Sequence, residues 1–342
     1  MDKKLLGQVF TPAFIVDKMI KLISKTNPNL ILEPSSGSGN FYHPLTKKFK
    51  NVIGVEIDTK IAHQGAIIKS YFDTNFKADV IIGNPPYVDF KNISDKPKNT
   101  ILIHKPNLYL YFLEKALNDL NVNGELIWIV PASVFTNSSS KKLNELIYKD
   151  FSITHFELIA ENVWENASIP TAIIKIVKQE NHPDKKDYFL ANGKIIFGKK
   201  EHFDSKIIVK VGGASGFNEK LIKGSSDFVV SSTERTKKLK SILYEPQKWI
   251  RAVPKAPDNF TYQIFVNCKT RNTKPFYLLD FQNKNQFIYY DASVLSLFVN
   301  CSKKQTYQII DRLNNMNWEK MGILRDGRYH FSQSVLSAIF ES

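Results

Sequence analysis

The sequence predicts an α/β domain with a mostly parallel sheet, followed by a smaller α+β domain. In the first half, short apolar runs alternate with amphipathic helical patterns, as in parallel strands that are joined by helices. The runs are apolar along their whole length, which indicates strands covered on both faces. This alternation stops after the polar segment 178–187. We therefore expect one domain over residues 1–180 and a second over residues 190–342.

The individual elements are predicted from the same patterns. Residues 12–24 have apolar side chains at helical spacing, and Pro12 suits the first turn of that helix. The rest of the first domain is then expected as a strand within 30–39, a short helix near 40–49, a strand at 51–58, a helix at 59–71, a strand and turn at 78–87, a helix at 108–120, a strand at 124–135, a helix at 140–150 and a strand at 169–179. In the second domain we expect strands within 193–198, 205–213, 262–267 and 285–291, and helices near 304–316 and 332–340.

Positive charge is concentrated in the second half of the chain. The formal net charge is +14, and residues 181–342 carry 26 lysines and arginines against 15 acidic residues, whereas residues 1–180 carry 21 against 18. A solvated lysine-rich surface accounts for many of the lysines. It does not account for the arginines, which bind phosphate and guanine edges in a bidentate manner and all lie in the second half. This distribution favours nucleic acid as the partner of the second domain.

The composition also limits the class of protein. No run approaches the roughly 18 apolar residues of a membrane span, and the N-terminal segment lacks the apolar core of a signal peptide. Cys268 and Cys301 lie far apart, so they indicate neither a metal site nor a disulfide framework. We therefore expect a cytoplasmic protein that has no membrane partner.

Two acidic residues at predicted strand ends suggest a small-molecule site. Glu33 ends one apolar run and precedes a Gly-x-Gly loop, where a carboxylate and backbone N–H groups face the carboxyl edge of the sheet. An acid at this position favours a ligand with a positive amino group, although a plain strand-to-helix turn is the alternative. Glu56 ends the next run, about twenty residues later, where a carboxylate can accept both hydroxyls of a ribose. A solvated acid is the alternative there.

A rigid turn follows the third apolar run. Pro85 and Pro86 hold the backbone extended, so Asn84 presents its amide oxygen beside a main-chain carbonyl, with Tyr87 just beyond. Two such acceptors suit the two N–H donors of an exocyclic amino group, and a tyrosine ring suits stacking on a base. The alternative is a rigid loop with a half-buried tyrosine.

The motif Asn84-Pro85-Pro86-Tyr87, together with GQVFTP at 7–12 and EPSSGSGNF at 33–41, resembles the DNA adenine-N6 methyltransferases of restriction–modification systems. The order of the motifs is similar to that of the gamma class, in which a target-recognition domain follows the catalytic domain. The resemblance covers roughly residues 7–178. It implies a Rossmann-like methyltransferase domain, S-adenosyl-L-methionine (AdoMet) as methyl donor without a metal, double-stranded DNA as substrate, and a cognate restriction endonuclease. We expect a monomer.

The resemblance also assigns roles to single residues. For the cofactor, Thr11 holds the methionine carboxylate and Glu33 faces the methionine amino group. The backbone of the glycine loop lines the same pocket, and Ile57 packs on the cofactor adenine. In the family, an Asp-Phe pair reads that adenine. This chain has Ser-Tyr-Phe-Asp at the corresponding place, so the resemblance assigns the role to Ser70 or Asp73. The full set of cofactor residues is Thr11, Glu33, Ser36, Gly37, Gly39, Glu56, Ile57 and Asp73.

For catalysis, the resemblance implies that Asn84 and the Pro85 carbonyl accept hydrogen bonds from adenine N6. Tyr87 and Trp164 would stack on the extruded base, although Trp164 equally suits a packed core or surface position. The chain has no Pro-Cys dipeptide, which argues against a cysteine-nucleophile cytosine-C5 mechanism.

The DNA contacts are expected in the second domain. Lysines would contact phosphates and arginines would read base edges, the candidates being Arg235, Lys237, Lys238, Lys269, Arg271, Arg325 and Arg328. The segment LRDGRYH at 324–330 predicts either a groove-facing loop or a simple hairpin. Two other functions remain open from the motifs: an N-methyltransferase acting on RNA or on a protein glutamine amide, and a non-catalytic DNA-binding protein. The long basic C-terminal region favours duplex DNA as the substrate.

Overall fold

A computed structural model describes residues 10–94, 96–159, 163, 170–179, 187–216, 226–230, 238–242, 244–325 and 328–340. The chain divides into two compact units, Met1–Ile195 and Ile196–Ser342, which we call unit one and unit two. Each unit has a hydrophobic core of its own.

The described residues of unit one form a seven-stranded sheet. The strands β1 to β5 are parallel to one another, whereas β7 is antiparallel to both β5 and β6. The strand order reverses at β1, which has β2 on one side and β4 on the other. This arrangement is a Rossmann-like, doubly wound fold and confirms the predicted mostly parallel sheet. In spatial order the strands are β3 (Ile67–Ile68), β2 (Val52–Glu56), β1 (Ile31–Glu33), β4 (Ala78–Gly83), β5 (Leu120–Pro131), β7 (Thr171–Lys178) and β6 (Phe151–Ile159).

The helices of unit one cover this sheet. The first, α1 (Ala13–Lys21), buries one apolar face in a core cluster that contains side chains of β1, β4 and β5. Asn107 caps α3 by accepting a hydrogen bond from the N–H of Tyr109 at 3.4 Å. The described helices of unit one begin and end within a few residues of their predicted bounds, which confirms those predictions. The others are α2 (Tyr42–Thr46), α3 (Leu108–Asp119) and α4 (Lys141–Asp150).

One prediction for the first half was wrong, and one strand was missed. The segment 59–71 is not a helix but a series of turns with the short strand β3. Its backbone is held instead by the glycine loop, since the N–H of His63 donates to the carbonyl of Gly37 at 3.0 Å, and Gly65 has a positive φ of 89°. The strand β6 was not predicted at all. It lies at the sheet edge, and much of it is only partly buried, so it lacks the continuous apolar run of the inner strands.

The described part of unit two is α+β, as predicted, with three sheets of three strands each. Their spatial orders are β10-β16-β13, β12-β11-β15 and β14-β18-β17. Helix α5 begins with a reciprocal capping box between Ser302 and Gln305. The ranges are β10 (Ile208–Val211), β11 (Ser226–Val230), β12 (Lys238–Ile242), β13 (Tyr262–Asn267), β14 (Lys269–Thr270), β15 (Tyr289–Tyr290), β16 (Val294–Val299), α5 (Lys303–Asn314), β17 (Leu324–Arg325), β18 (Arg328–His330) and α6 (Gln333–Phe340).

The strands β8 (Tyr188–Ala191) and β9 (Lys194–Phe197) form a small two-stranded sheet. Among the helices that the structure describes, none combines the length and the apolar character that crossing a membrane requires.

Candidate active site

A cavity of about 920 Å³ opens at the carboxyl edge of the parallel strands in unit one. The ends of β1, β2 and β4 meet there, which is the switch point where open α/β sheets bind ligands. The structure therefore brings together residues that are far apart in the sequence. The predicted site residues that line the cavity are Thr11, Glu33, Ser36, Gly37, Glu56, Ile57, Ser70, Asp73 and Asn84.

Glu33 lies at the end of β1 with only 2% of its surface exposed. No donor among the described residues reaches its Oε2 atom. Burial raises the pKa of this carboxyl well above its usual range; a backbone N–H of Tyr42 opposes the rise and the Glu56 carboxylate adds to it. A buried acceptor without a partner is costly, so the site favours a cationic donor that would pair with Glu33.

Glu56 binds the glycine loop directly. Its Oε1 accepts the N–H groups of Ile57 and Asp58, both at 2.9 Å, and its Oε2 accepts the N–H of Gly37 at 2.8 Å. Gly37 and Gly39 have positive φ values of 51° and 90°, so the loop depends on glycine at these positions. An ionised carboxylate has about four lone-pair sites, and three of them are in use. Glu56 thus retains room for about one further donor, such as one ribose hydroxyl.

Gly54 and His63, which the sequence analysis did not single out, support the loop from behind. A Cβ atom on Gly54 would lie 2.5 Å from Nε2 of His63 and 2.9 Å from Cβ of Ser36. The ring of Tyr42 stacks on His63 with a centroid distance of 3.9 Å. A glycine within a buried strand often marks the close approach of another segment. Gly54 was therefore the sequence feature that could have indicated this contact.

The Asn-Pro-Pro-Tyr turn holds its asparagine from two sides. Asn84 donates from Nδ2 to Oγ1 of Thr11 at 3.2 Å, while the Tyr87 hydroxyl lies 2.7 Å from Asn84 Oδ1 and 3.0 Å from the carbonyl oxygen of Ile129. The main-chain carbonyl of Asn84 accepts from the Ser35 hydroxyl at 3.2 Å. Burial, with the neighbouring Tyr109 second, raises the pKa of Tyr87 well above its usual range, so this hydroxyl stays protonated. Pro85 is buried behind the turn.

At the other end of the cavity, a short turn carries both candidates for reading the cofactor adenine. Ser70 caps this turn, because its Oγ accepts the N–H of Phe72 at 3.3 Å, whereas Asp73 is exposed. Tyr71 donates to Oδ2 of Asp119 at 2.7 Å, and Lys115 donates to the same oxygen at 2.9 Å. These contacts fix the turn to the last turn of α3. No local sequence pattern predicts this cluster, because it forms only through tertiary packing.

The cavity suits a ligand that combines a nucleoside with an amino-acid cation. It is large enough for a small-molecule cofactor. Glu33 supplies an unpaired buried acceptor, and the exposed side chain of Ile57 offers an apolar contact beside Glu56. Over the described residues, no group of three or more histidine, cysteine and acidic side chains is arranged to hold a metal ion.

In unit two, the structure brings several of the predicted DNA contacts onto one small sheet. Lys269 of β14 pairs with His330 of β18, and Arg325 of β17 pairs with Arg328 of β18. Strands β17 and β18 are antiparallel, with Leu324 paired to Tyr329 and Arg325 to Arg328, whereas residues 326 and 327 of the predicted loop or hairpin lie outside the described residues. Lys269, Arg271 and Arg328 are exposed. The backbone of Lys238 lies in β12, whereas Arg235, Lys237, Trp164 and residues 7–9 of the first motif lie outside the described residues.

Comparison with known proteins gives a match to the first half. Residues 17–164 match the family described as Eco57I restriction-modification methylase. Type II methyltransferase M.HincII of Haemophilus influenzae is 37% identical over 190 residues, which are 52% of this chain and 38% of that protein. Type II methyltransferase M.CvrRI of Paramecium bursaria Chlorella virus XZ-6E is 29% identical over 185 residues, or 51% of this chain and 48% of that protein.

Among solved structures, the M protein of the type I restriction enzyme EcoKI is similar over 50% of this chain and 44% of that chain, with 16% identity and a TM-score of 0.42. The chain thus covers less than half the length of each of these relatives. The resemblance to the methyltransferases of restriction–modification systems is nevertheless confirmed for the first half of the chain, because residues 17–164 match the family described as Eco57I restriction-modification methylase.

Proposed function

We propose that this protein transfers a methyl group from AdoMet to N6 of an adenine that is extruded from duplex DNA at a specific site. One observation carries the proposal: the buried carboxyl of Glu33, whose Oε2 atom has no partner among the described residues, and the amide of Asn84 line one cavity at the switch point of the sheet. The first suits the amino group of the donor, and the second suits the amino group of the acceptor. The match of residues 17–164 to restriction-modification methylases supports this pairing.

On the donor side, AdoMet supplies an activated methyl group on a sulfonium. Glu33 in its ionised form would accept a hydrogen bond from the ammonium of the methionine moiety. Glu56 would accept one ribose hydroxyl beside its bonds to the glycine loop. Thr11 would hold the methionine carboxylate while its Oγ1 also accepts from Asn84, which links the donor site to the acceptor site.

On the acceptor side, Asn84 and the Pro85 carbonyl would accept the two N6–H groups of the adenine. The N6 lone pair is delocalised into the ring, so these bonds favour a more tetrahedral nitrogen and stabilise the positive charge that develops on it. This is electrostatic preorganisation without a covalent intermediate. Tyr87 and Trp164 would stack on the extruded base and offset unstacking costs of a few kcal/mol.

Unit two would supply the recognition of the DNA sequence. The exposed Lys269, Arg271 and Arg328 on and beside β14 and β18 have the chemistry for phosphate and base-edge contacts. Methylation at such a site would protect host DNA from a cognate restriction endonuclease, as the resemblance to restriction–modification enzymes implies. Residues 1–180 would then be the catalytic domain and residues 190–342 the target-recognition domain of a monomeric, cytoplasmic enzyme.

Methyl transfer to three classes of acceptor tests this proposal. The protein is incubated with methyl-labelled AdoMet and, separately, with duplex DNA, structured RNA and a soluble protein extract. We expect label in the DNA alone. Label in the RNA or on glutamine amides, with none in DNA, would overturn the proposal in favour of another N-methyltransferase. DNA binding without transfer to any acceptor would indicate a non-catalytic protein.

A further inference from the structure

The segment between the Asn-Pro-Pro-Tyr turn and α3, residues 89–107, is pinned at its base. The N–H of Leu108 donates to the carbonyl of Val88 at 2.9 Å, and Asn107 donates from its side chain to Asp89 at 3.3 Å. Further along, the carboxylate of Glu114 in α3 accepts the hydroxyl of Thr100 and the N–H of Ile101. Residues 91–94 and 96–99 lie between these contacts, and we call them the lysine loop.

The lysine loop forms part of the wall of the active-site cavity. Asn92, Ser94, Lys96, Lys98 and Asn99 line the same cavity as Asn84 and Glu33. A base that enters this cavity therefore passes the lysine loop. The sugar-phosphate backbone on both sides of that base must then follow the rim of the cavity.

The lysines of this loop divide into two kinds. The Lys96 ammonium donates to the carbonyl of Ile93 at 2.6 Å and lies 4.8 Å from the ring centroid of Phe90, so it holds the loop together. Lys91 and Lys98 are exposed and form no ion pair with any residue that the structure describes. Of the acids in the segment, Asp89 already accepts from Asn107, and Asp95 lies outside the described residues.

We propose that Lys91 and Lys98 bind phosphates of the strand that carries the extruded adenine, so that unit one binds DNA in addition to unit two. This proposal rests on the proposed function. A lysine ammonium is a point charge that suits phosphate and reads no base edge. The contact would therefore be independent of sequence and would hold the target strand at the mouth of the cavity. Charge composition alone had assigned nucleic-acid binding to the second half of the chain.

The test compares two double variants that remove the same charge. Lys91→Gln/Lys98→Gln changes the lysine loop. Lys48→Gln/Lys50→Gln is the matched control, because these exposed lysines lie just before the amino end of β2, at the edge of the sheet opposite the cavity. Fluorescence anisotropy with a labelled duplex measures affinity across a salt series, and calorimetry measures binding of S-adenosylhomocysteine (AdoHcy).

For the lysine-loop variant, we expect the plot of log affinity against log salt to become less steep, with the magnitude of its slope smaller by about two. Each phosphate contact contributes close to one to that magnitude. Its KM for DNA should rise roughly tenfold while its affinity for AdoHcy stays unchanged. The control should match the wild type. Equal slopes in the two double variants would overturn the proposal even if the wild type methylates DNA normally. Failure of the wild type to bind DNA at all would overturn both this proposal and the proposed function.

Discussion

The hydroxyl oxygen of Tyr87 lies 2.7 Å from Oδ1 of Asn84. The same hydroxyl lies 3.0 Å from the carbonyl oxygen of Ile129, and it has one hydrogen to donate to one of them at a time. In the free protein the Tyr87 hydroxyl can thus donate to the amide oxygen of Asn84. In the proposed mechanism, that same oxygen accepts a hydrogen bond from adenine N6. When the base enters, a shift of this donation to Ile129 would leave the Asn84 oxygen for the substrate without exposing an unpaired hydroxyl.

Substitutions of Tyr87 separate its ring from its hydroxyl. Tyr87→Phe keeps the stacking surface and removes the bond to Asn84, so we expect kcat to stay within about tenfold of the wild type. Tyr87→Ala removes the ring as well. Stacking on an aromatic side chain contributes about 1–3 kcal/mol per base, so trapping of the extruded base should weaken by roughly 5- to 150-fold. Fluorescence of 2-aminopurine at the target position measures this trapping, and equal losses in both variants would show that the ring does not stack on the base.

The buried carboxyl of Glu33 predicts that cofactor binding releases a proton. Its pKa is raised in the free protein, whereas an ammonium at this position would stabilise the ionised form. Affinity for AdoHcy should therefore increase with pH until Glu33 is ionised in the free protein. Calorimetry in buffers of different ionisation enthalpy detects the released proton. Glu33→Gln should bind roughly 10- to 100-fold more weakly and release no proton, because it loses a charged hydrogen bond.

The raised pKa of Glu33 also determines whether its contribution to folding stability rises or falls with pH. In the unfolded chain a glutamate has a pKa of about 4.3, so at higher pH the folded protein retains a proton that the unfolded chain has lost. The contribution of Glu33 to stability is thus greatest below that unfolded pKa, and it falls as pH rises towards the raised folded value. Above this window, Glu33→Gln without ligand should unfold at a higher temperature than the wild type. Parallel profiles of melting temperature against pH would contradict this account of the site.

Gly54→Ala tests the support behind the glycine loop. The added methyl would lie 2.5 Å from the buried His63 ring, so the ring or the loop must move. We expect a loss of about 1–3 kcal/mol in the free energy of unfolding, measured with urea, together with weaker AdoHcy binding. The double variant Gly54→Ala/His63→Ala should recover part of the AdoHcy affinity. If the single variant binds AdoHcy normally, contact between this strand and the loop does not shape the site.

Asp119→Ala tests the cluster that fixes the turn with Ser70 and Asp73 to α3. Asp119 is 6% exposed and accepts from both Tyr71 and Lys115, so its loss removes the acceptor of the Tyr71 hydroxyl and the ion pair of Lys115, which keeps the carbonyl of Thr74 as an acceptor. We expect a destabilisation of about 2–3 kcal/mol in urea unfolding, which allows for the partial exposure of Lys115. Asp119→Asn keeps an acceptor for Tyr71 and should lose less. The matched control Asp89→Ala removes an exposed acid, and a similar loss there would show that burial of Asp119 is not the cause.

Much of the fold could be predicted because its strands are buried on both faces. Such strands are continuous apolar runs, and β1, β2, β4 and β5 were predicted for that reason. The segment 59–71 was wrongly predicted to be a helix. Ile67 and Ile68 are hydrophobic yet exposed in β3, so their spacing did not reflect the buried face of a helix. The edge strand β6 is only partly buried and left no comparable pattern.

For the candidate site, local motifs indicated Glu33, Glu56 and Asn84, because the two glutamates end strands and Asn84 directly follows one, and the carboxyl ends of these strands were predictable. The contacts that hold these residues in place were not predictable. The bond from Tyr87 to Ile129 spans 42 positions, and that from Tyr71 to Asp119 spans 48. Such contacts depend on how strands and helices pack together, and no local pattern encodes that packing.

Sequencing of the methylated product identifies the base and the sequence that receive the methyl group. Duplex DNA of mixed sequence is incubated with AdoMet and either the wild type or Asn84→Ala, and N6-methyladenine is then mapped base by base. The account predicts N6-methyladenine at one recurring sequence with the wild type. It predicts a rate at least 10²-fold lower with Asn84→Ala, which should still bind AdoHcy and DNA. Methylation on cytosine, or substantial residual adenine methylation by Asn84→Ala, would contradict the account.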